Sequence, residues 1–177
     1  MTVAAALLEE IAAGAQAESR LWGDALLPPG ERDGSPVFSP LGEPRFALAL
    51  ETIYEGYLVH YGRPRLFAPL DEGTALLLGD YLYAHGLVRL AESGSVRAVA
   101  DLAELISLCA QARADGTGGD GAAWAGTVAL LGADGLEPAR AALRERRDPG
   151  PLEHAAREAA GRAAVERALA AHRARMG

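Results

Sequence analysis

Apolar residues recur at helical spacing along most of the chain, and no segment shows the alternation of a half-buried strand. The pattern predicts an N-terminal helix within residues 1–27, a helical core over 44–147, and a C-terminal helix over 148–177 that is rich in alanine, arginine and glutamate. Residues 28–43 hold four prolines and three glycines, so they are expected to form a linker or an extended segment along the surface. The predicted fold class is all-α.

Two helices carry the strongest apolar patterns of the core. The first covers 44–61 and ends before a Gly-Arg-Pro turn, and the second covers about 71–92. Apolar residues fall on nearly every side of the second helix, which predicts that it is central and buried. Gly79 and Gly86 are seven residues apart on one side of it, where small residues allow another helix to approach closely.

Composition indicates a soluble globular chain. Half of the 177 residues are hydrophobic and the mean hydropathy is +0.04. The single cysteine, Cys109, excludes an intramolecular disulfide and fits a reducing compartment. The N-terminus lacks the basic start of a signal peptide, and no uncharged apolar stretch reaches the roughly 20 residues of a membrane span. The sequence therefore predicts a cytoplasmic protein without a transmembrane segment.

The basic residues are all arginines, and the formal net charge is −7. They are most frequent after residue 139, where they alternate with glutamates as on a solvated or partner-docking helix face. No aromatic residue lies among them, so nucleic-acid binding is not expected. His154 and His172 are expected to be exposed in this segment and to bind no metal.

The segment from Gly62-Arg63-Pro64 to Gly79-Asp80 resembles the polyprenyl (trans-isoprenyl diphosphate) synthases. In that family an Arg-Arg-Gly-x-Pro loop precedes an apolar helix with a Gly-Asp pair, and the order and spacing here are similar. The resemblance covers about residues 45–130. It implies a helical bundle resembling part of the isoprenoid synthase fold.

The catalytic aspartates of that family have no counterpart in this chain. The motif Asp-Asp-x-x-Asp is absent, and no space for it exists between His60 and Gly62. In the family these aspartates hold the Mg²⁺ ions that neutralise the leaving diphosphate, a task for several carboxylates together. We therefore predict a non-catalytic, degenerate member with no catalytic residue, no metal site and no cofactor.

Several polar residues of the core remain candidates for binding a ligand or a partner. Glu51 and Glu55 share one helix face and could jointly face a cation, although such pairs are commonly exposed to solvent. Asp80 lies in an apolar helix, where a buried carboxylate needs a partner, and His85 is one candidate. Asp80 is either a structural hydrogen-bond node or a residue that binds a ligand or lies in an interface.

Three basic or potentially basic residues surround the turn after the first core helix. His60, Arg63 and Arg65 could bind a phosphate or the carboxylate of a partner. Alternatively, the two arginines cap the C-terminus of the preceding helix, where the helix dipole favours positive charge.

These observations support three functional hypotheses. The first is an interaction or regulatory subunit that forms a homo- or hetero-oligomer through apolar helix faces, with the helix over 71–92 at or near the interface. The second is a module that binds an isoprenoid or another small molecule in an apolar groove between helices 44–61 and 71–92, with His60, Arg63 and Arg65 at its mouth. The third is a divergent enzyme of isoprenoid metabolism that uses Glu51, Glu55 and Asp80.

Overall fold

The computed structural model describes residues 3–176. Their α-helices, in chain order, are α1 (Val3–Glu18), α2 (Arg20–Asp24), α3 (Ala47–Tyr61), α4 (Glu72–Ala91), α5 (Val96–Ala114), α6 (Asp120–Ala129), α7 (Glu137–Arg146), α8 (Gly150–Ala160) and α9 (Arg162–Met176). Over this range the only β-type pairing is an isolated bridge between Leu26 and Phe67. The predicted all-α class is confirmed.

The central helix is α3, whose residues are all buried from Ala49 to Val59. The sequence assigned this role to the helix over 71–92, and that prediction is wrong. On α4 the side chains of Leu76, Leu77 and Val88 are 56%, 58% and 58% exposed. Consecutive helical residues point about 100° apart, so a run of three leucines cannot lie on one buried face. Only Leu78 of that run is buried.

Glycines bring α3 and α4 into direct contact, so α3 is the helix whose close approach the spacing of Gly79 and Gly86 allows. A Cβ atom on Gly79 would lie 2.4 Å from Nε2 of His60, and one on Gly86 would lie 2.3 Å from Cγ1 of Ile53. A Cβ on Gly56 would lie 3.0 Å from the carbonyl oxygen of Gly79. The two helices therefore leave no room between them for an apolar chain, and the groove predicted there is absent.

Two groups of buried residues hold the helices together. The larger joins α3 to the helices from α5 onward, and the segment before α3 contributes Val37, Phe38 and Leu41 to it. The smaller one packs α1 against α3 and α4 through Leu8, Ile11, Ala15, Val59, Leu78 and Leu82. The proline- and glycine-rich segment over 28–43 thus wraps along the body with some of its apolar side chains in the core.

Both terminal helices are interrupted, where the sequence predicted continuous ones. Ser19 separates α1 from α2 and caps α2, since its side chain accepts a hydrogen bond from the amide of Leu21. Gly161 separates α8 from α9 with φ +85°, a conformation that glycine adopts readily. Among the described residues no helix is both long enough and apolar enough to cross a membrane.

Candidate functional site

The carboxylates of Glu51 and Glu55 do share one face of α3, and the cation that they face is Arg65. Nη1 of Arg65 donates to Oε2 of Glu51 at 2.6 Å, and its Nε donates to Oε2 of Glu55 at 2.9 Å. The backbone amides of Arg65 and Leu66 both donate to Oε1 of Glu55 at 2.8 Å. All three charged side chains are at most 2% exposed. The expectation of a solvent-exposed glutamate pair is therefore wrong.

This cluster anchors the turn after α3 to the middle of that helix. Arg65 also donates to the carbonyl oxygens of Ser35 and Glu51, and its guanidinium lies 5.2 Å from the ring centre of Tyr54. Burial by itself lowers the pKa of Arg65, but the charges and hydrogen bonds of Glu51 and Glu55 outweigh it and raise the pKa. Arg65 is thus held fully charged, and its donors are directed at groups of the chain itself.

Arg63 contacts a different helix end from the one that the sequence suggests. Its backbone amide donates to the carbonyl of Arg175 at 2.9 Å, and its Nη2 donates to the carbonyl of Ala174. Both carbonyls lie in the last turn of α9, where orphan carbonyls and the helix dipole favour a cation. Arg63 therefore caps α9, and neither it nor Arg65 caps α3.

Asp80 is exposed, whereas the sequence predicted a buried carboxylate. Its side chain is 66% exposed, and its partner is His60, whose Nε2 lies 3.3 Å from Oδ1 of Asp80. Burial lowers the pKa of His60 below its usual value, and this effect exceeds the opposing influence of Asp80. The imidazole is therefore largely neutral at pH 7, and the negative charge of Asp80 remains on the surface.

His85 is not the partner of Asp80. It stacks on Tyr81 with ring centres 5.4 Å apart, and Tyr81 stacks in turn on Trp22 of α2 at 5.5 Å. This aromatic stack adjoins the outward side of α4, since Leu77 precedes Tyr81 by one helical turn. His85 thus belongs to an aromatic surface.

The outward side of α4 is an apolar surface with one charge. We call it the α4 face, and it consists of the exposed residues Leu76, Leu77, Asp80, Ala84 and Val88. These residues follow helical spacing and cover about three turns on one side. The Leu76-Leu77-Leu78 run, which cannot be buried on one side, is the sequence signal from which this face could have been predicted.

A second polar network, which the sequence pattern did not indicate, links four helices in the larger core. Tyr54 Oη and His172 Nδ1 lie 3.0 Å apart, and Nε2 of His172 lies 3.3 Å from Oδ2 of Asp120. Tyr57 and Arg113 also donate to Asp120. His172 is 3% exposed, so the prediction of an exposed histidine is wrong for this residue. His154 is exposed as predicted.

Electrostatics of this network favour an ionised Asp120. Burial raises its pKa, but the hydrogen bonds from His172 and Tyr57 and the charge of Arg113 outweigh burial, so the pKa falls well below its ordinary value. Burial raises the pKa of Tyr57, and the neighbouring Asp120 raises it further. No local pattern could identify this network, because Tyr54 and His172 are 118 residues apart.

In the described part of the chain no three His, Cys, Asp or Glu side chains are grouped so that they could hold a metal ion. Cys109 is completely buried, and burial raises its pKa, which keeps the thiol protonated and unreactive. The arrangement brings Glu51, Glu55 and Arg65 together, and His60 with Asp80. It leaves Arg63 at the end of α9 and His85 in the aromatic stack.

Comparison with known proteins finds a partial similarity to a subunit of a prenyl diphosphate synthase. It is 36% identical over 126 residues to heptaprenyl diphosphate synthase component 2 of Geobacillus stearothermophilus. The match covers 58% of this chain, which spans only 39% of the length of that relative. No family model matches the chain, and no solved structure matches it.

Proposed function

We propose that this chain is a non-catalytic helical subunit that binds a prenyl diphosphate synthase subunit through the α4 face. The observation that carries the proposal is this face, where Leu76, Leu77 and Val88 are each more than half exposed on one side of a helix. Contiguous apolar surface of this kind is typical of protein interfaces. Because α4 also packs tightly on α3 through its glycines, the face is presented on a rigid element.

The buried ion cluster supports the non-catalytic part of the proposal. Prenyl transfer of the family type requires carboxylates that are free to bind Mg²⁺ and the diphosphate. The two glutamates on α3 are instead bound to Arg65, and together the three side chains are buried from solvent. Removing Arg65 from between them would leave buried carboxylates uncompensated, so the cluster serves stability.

The position of Asp80 favours a different chain over a second copy as the partner. Asp80 lies close to the middle of the α4 face, about two residues or roughly 3 Å along the helix from its midpoint. In a two-fold pairing of α4 helices the same surface meets itself, so the two Asp80 carboxylates would approach each other in a desolvated contact. A partner that presents an apolar helix with a lysine or arginine opposite Asp80 avoids this repulsion.

The name of the related protein supports the choice of partner class. A "component 2" of heptaprenyl diphosphate synthase is one part of an enzyme with more than one component. We therefore propose that the partner of this chain is another component of such an enzyme, a prenyl diphosphate synthase subunit that carries the aspartate-rich motifs absent here.

Reconstitution tests this function. The chain is mixed with such a synthase subunit encoded in the same genome, and Mg²⁺-dependent diphosphate release from an allylic substrate is measured. We expect no release from the chain alone, and a several-fold change in the rate of the synthase subunit at equimolar ratio. Leu77→Glu should abolish this change, and Ala170→Glu, which adds the same charge to an exposed site on α9, should preserve it. Diphosphate release by the chain alone would overturn the proposal.

A further inference from the structure

A groove between α5 and α7 lies outside every site described above. It has a volume of about 630 Å³, and its lining includes Ser107 and Gln111 of α5 and Arg140 of α7. Three arginines and three carboxylates line it: Arg97, Arg140 and Arg144, with Asp101, Glu104 and Glu137. The groove thus has charged groups of both signs and no excess of either.

Arg140 is the unusual residue of this groove. Its side chain is only 5% exposed, and Nη1 donates to Oδ1 of Asp101 at 3.0 Å. The other oxygen of Asp101 accepts from the amide of Gly132 at 2.9 Å, which fixes the carboxylate and, through it, the guanidinium. Nε and Nη2 of Arg140 are buried and have no hydrogen-bond partner. These two nitrogens form one edge of the guanidinium, so a complete two-donor fork lacks an acceptor.

We propose that the groove between α5 and α7 binds the carboxylate group of a small molecule on the free Nε and Nη2 edge of Arg140. Buried donors without an acceptor are strongly unfavourable, so an acceptor that reaches them gains more than it would at an exposed arginine. The two parallel donors match the two oxygens of a carboxylate in a bidentate pair. Asp101 cannot accept hydrogen bonds from this edge as well, because its two oxygens already accept from Nη1 of Arg140 and from the amide of Gly132.

The charge balance of the groove selects a monoanion. A phosphate dianion would meet Glu104 and Glu137 without a surplus of arginines to offset its second charge. A carboxylate brings a single charge, which the Arg140 edge can neutralise. The ion pairs of Arg144 with Glu104 and Glu137 are solvent-accessible and hence weak, so they can rearrange around an entering ligand.

Acetate is the probe, and the Nε–H resonance of Arg140 in ¹⁵N NMR spectra of the full chain is the readout. We expect this resonance to shift and to saturate at millimolar acetate, with no shift in sodium chloride of equal ionic strength. Inorganic phosphate should act at least about tenfold more weakly. No saturable shift up to roughly 100 mM acetate would overturn the proposal, as would a stronger response to phosphate than to acetate.

A groove variant keeps the test independent of folding. Replacing Arg140 removes the ion-pair partner of the buried Asp101 carboxylate and can unfold the chain. Ser107→Glu is therefore the better choice. Ser107 is exposed and lines the groove, and a new carboxylate there should weaken acetate binding at least about tenfold. Ala170→Glu is the matched control and should bind acetate like the unmodified chain. Equal weakening by both variants, or by neither, would contradict the site.

Discussion

Arg65 donates through Nη1 to Oε2 of Glu51 at 2.6 Å, although the two residues are 14 positions apart and almost completely buried. Together with the Glu55 contact, this pair joins the turn after α3 to the middle of that helix. The same carboxylates are those that sequence inspection offers as ligands for a cation. In the folded chain the cation is an arginine of the chain itself, which removes them from solvent and from metal ions.

Replacement of Arg65 should therefore destabilise the fold strongly. Arg65→Met leaves two buried carboxylates without a counter-charge, and the expected loss in the free energy of unfolding is about 3–5 kcal/mol. Arg63→Met is the control, since Arg63 is exposed and its loss should cost no more than about 1 kcal/mol. Urea denaturation followed by circular dichroism measures both variants. Equal, small effects would contradict the structural role of the cluster.

Magnesium should have no stabilising effect on the chain. Because Arg65 holds Glu51 and Glu55, adding about 10 mM Mg²⁺ should leave the thermal midpoint unchanged. Differential scanning fluorimetry with and without the ion tests this point, with calcium as a second divalent cation. A saturable rise in the midpoint for Mg²⁺ alone would show that these carboxylates remain available to it.

A side chain at Gly79 should force α3 and α4 apart. A Cβ at this position would lie 2.4 Å from Nε2 of His60, so we expect Gly79→Ala to reduce the free energy of unfolding by about 1–3 kcal/mol. Gly73→Ala on the same helix is the control, since its Cβ would meet only Oδ1 of Asp71, at 3.3 Å. It should be neutral or slightly stabilising. The double variant Gly79→Ala with His60→Ala should recover part of the loss; no recovery would place the clash elsewhere.

Asp120 should contribute to stability in a pH-dependent manner. Its pKa in the folded state lies below the ordinary value of 3.8, so its contribution is complete above that value and is lost as the pH falls through the folded pKa. The free energy of unfolding should therefore decline from about pH 5 downward, and Asp120→Asn should flatten this decline. Asp115→Asn, in the exposed loop before α6, should leave it unchanged. An unaltered decline in Asp120→Asn would contradict the role of the network.

The helical periodicity of the sequence was sufficient for the class of fold, and the two glycines were sufficient for the side of α4 that another helix approaches closely. Gly79 and Gly86 are seven residues apart and therefore lie on the same side of α4. Because neither has a side chain, this side is where another helix can pack closely. The exposure of the α4 face was missed because hydrophobicity alone does not distinguish a buried apolar face from an exposed one. The Leu76-Leu77-Leu78 run indicates that some of these leucines lie off the buried side, and the packing decides that they are Leu76 and Leu77.

The polar partners could not be predicted, because they are distant in sequence. Glu51 and Glu55 share a face by local geometry, whereas the position of Arg65 depends on how the turn folds back onto α3. His172 meets Tyr54 only after α9 has packed against the core. Alternating arginine and glutamate near the C-terminus suggested an exposed segment, and tertiary packing overrode that local pattern for His172.

Sedimentation velocity of the chain with and without the synthase subunit tests the role of the α4 face most directly. We expect the chain alone to sediment as a monomer at micromolar concentration and the mixture to form a stable complex. Leu77→Glu should abolish the complex, and Ala170→Glu should preserve it. A stable homodimer of the chain alone, separate species in the mixture, or a complex that survives Leu77→Glu would each contradict the proposed subunit.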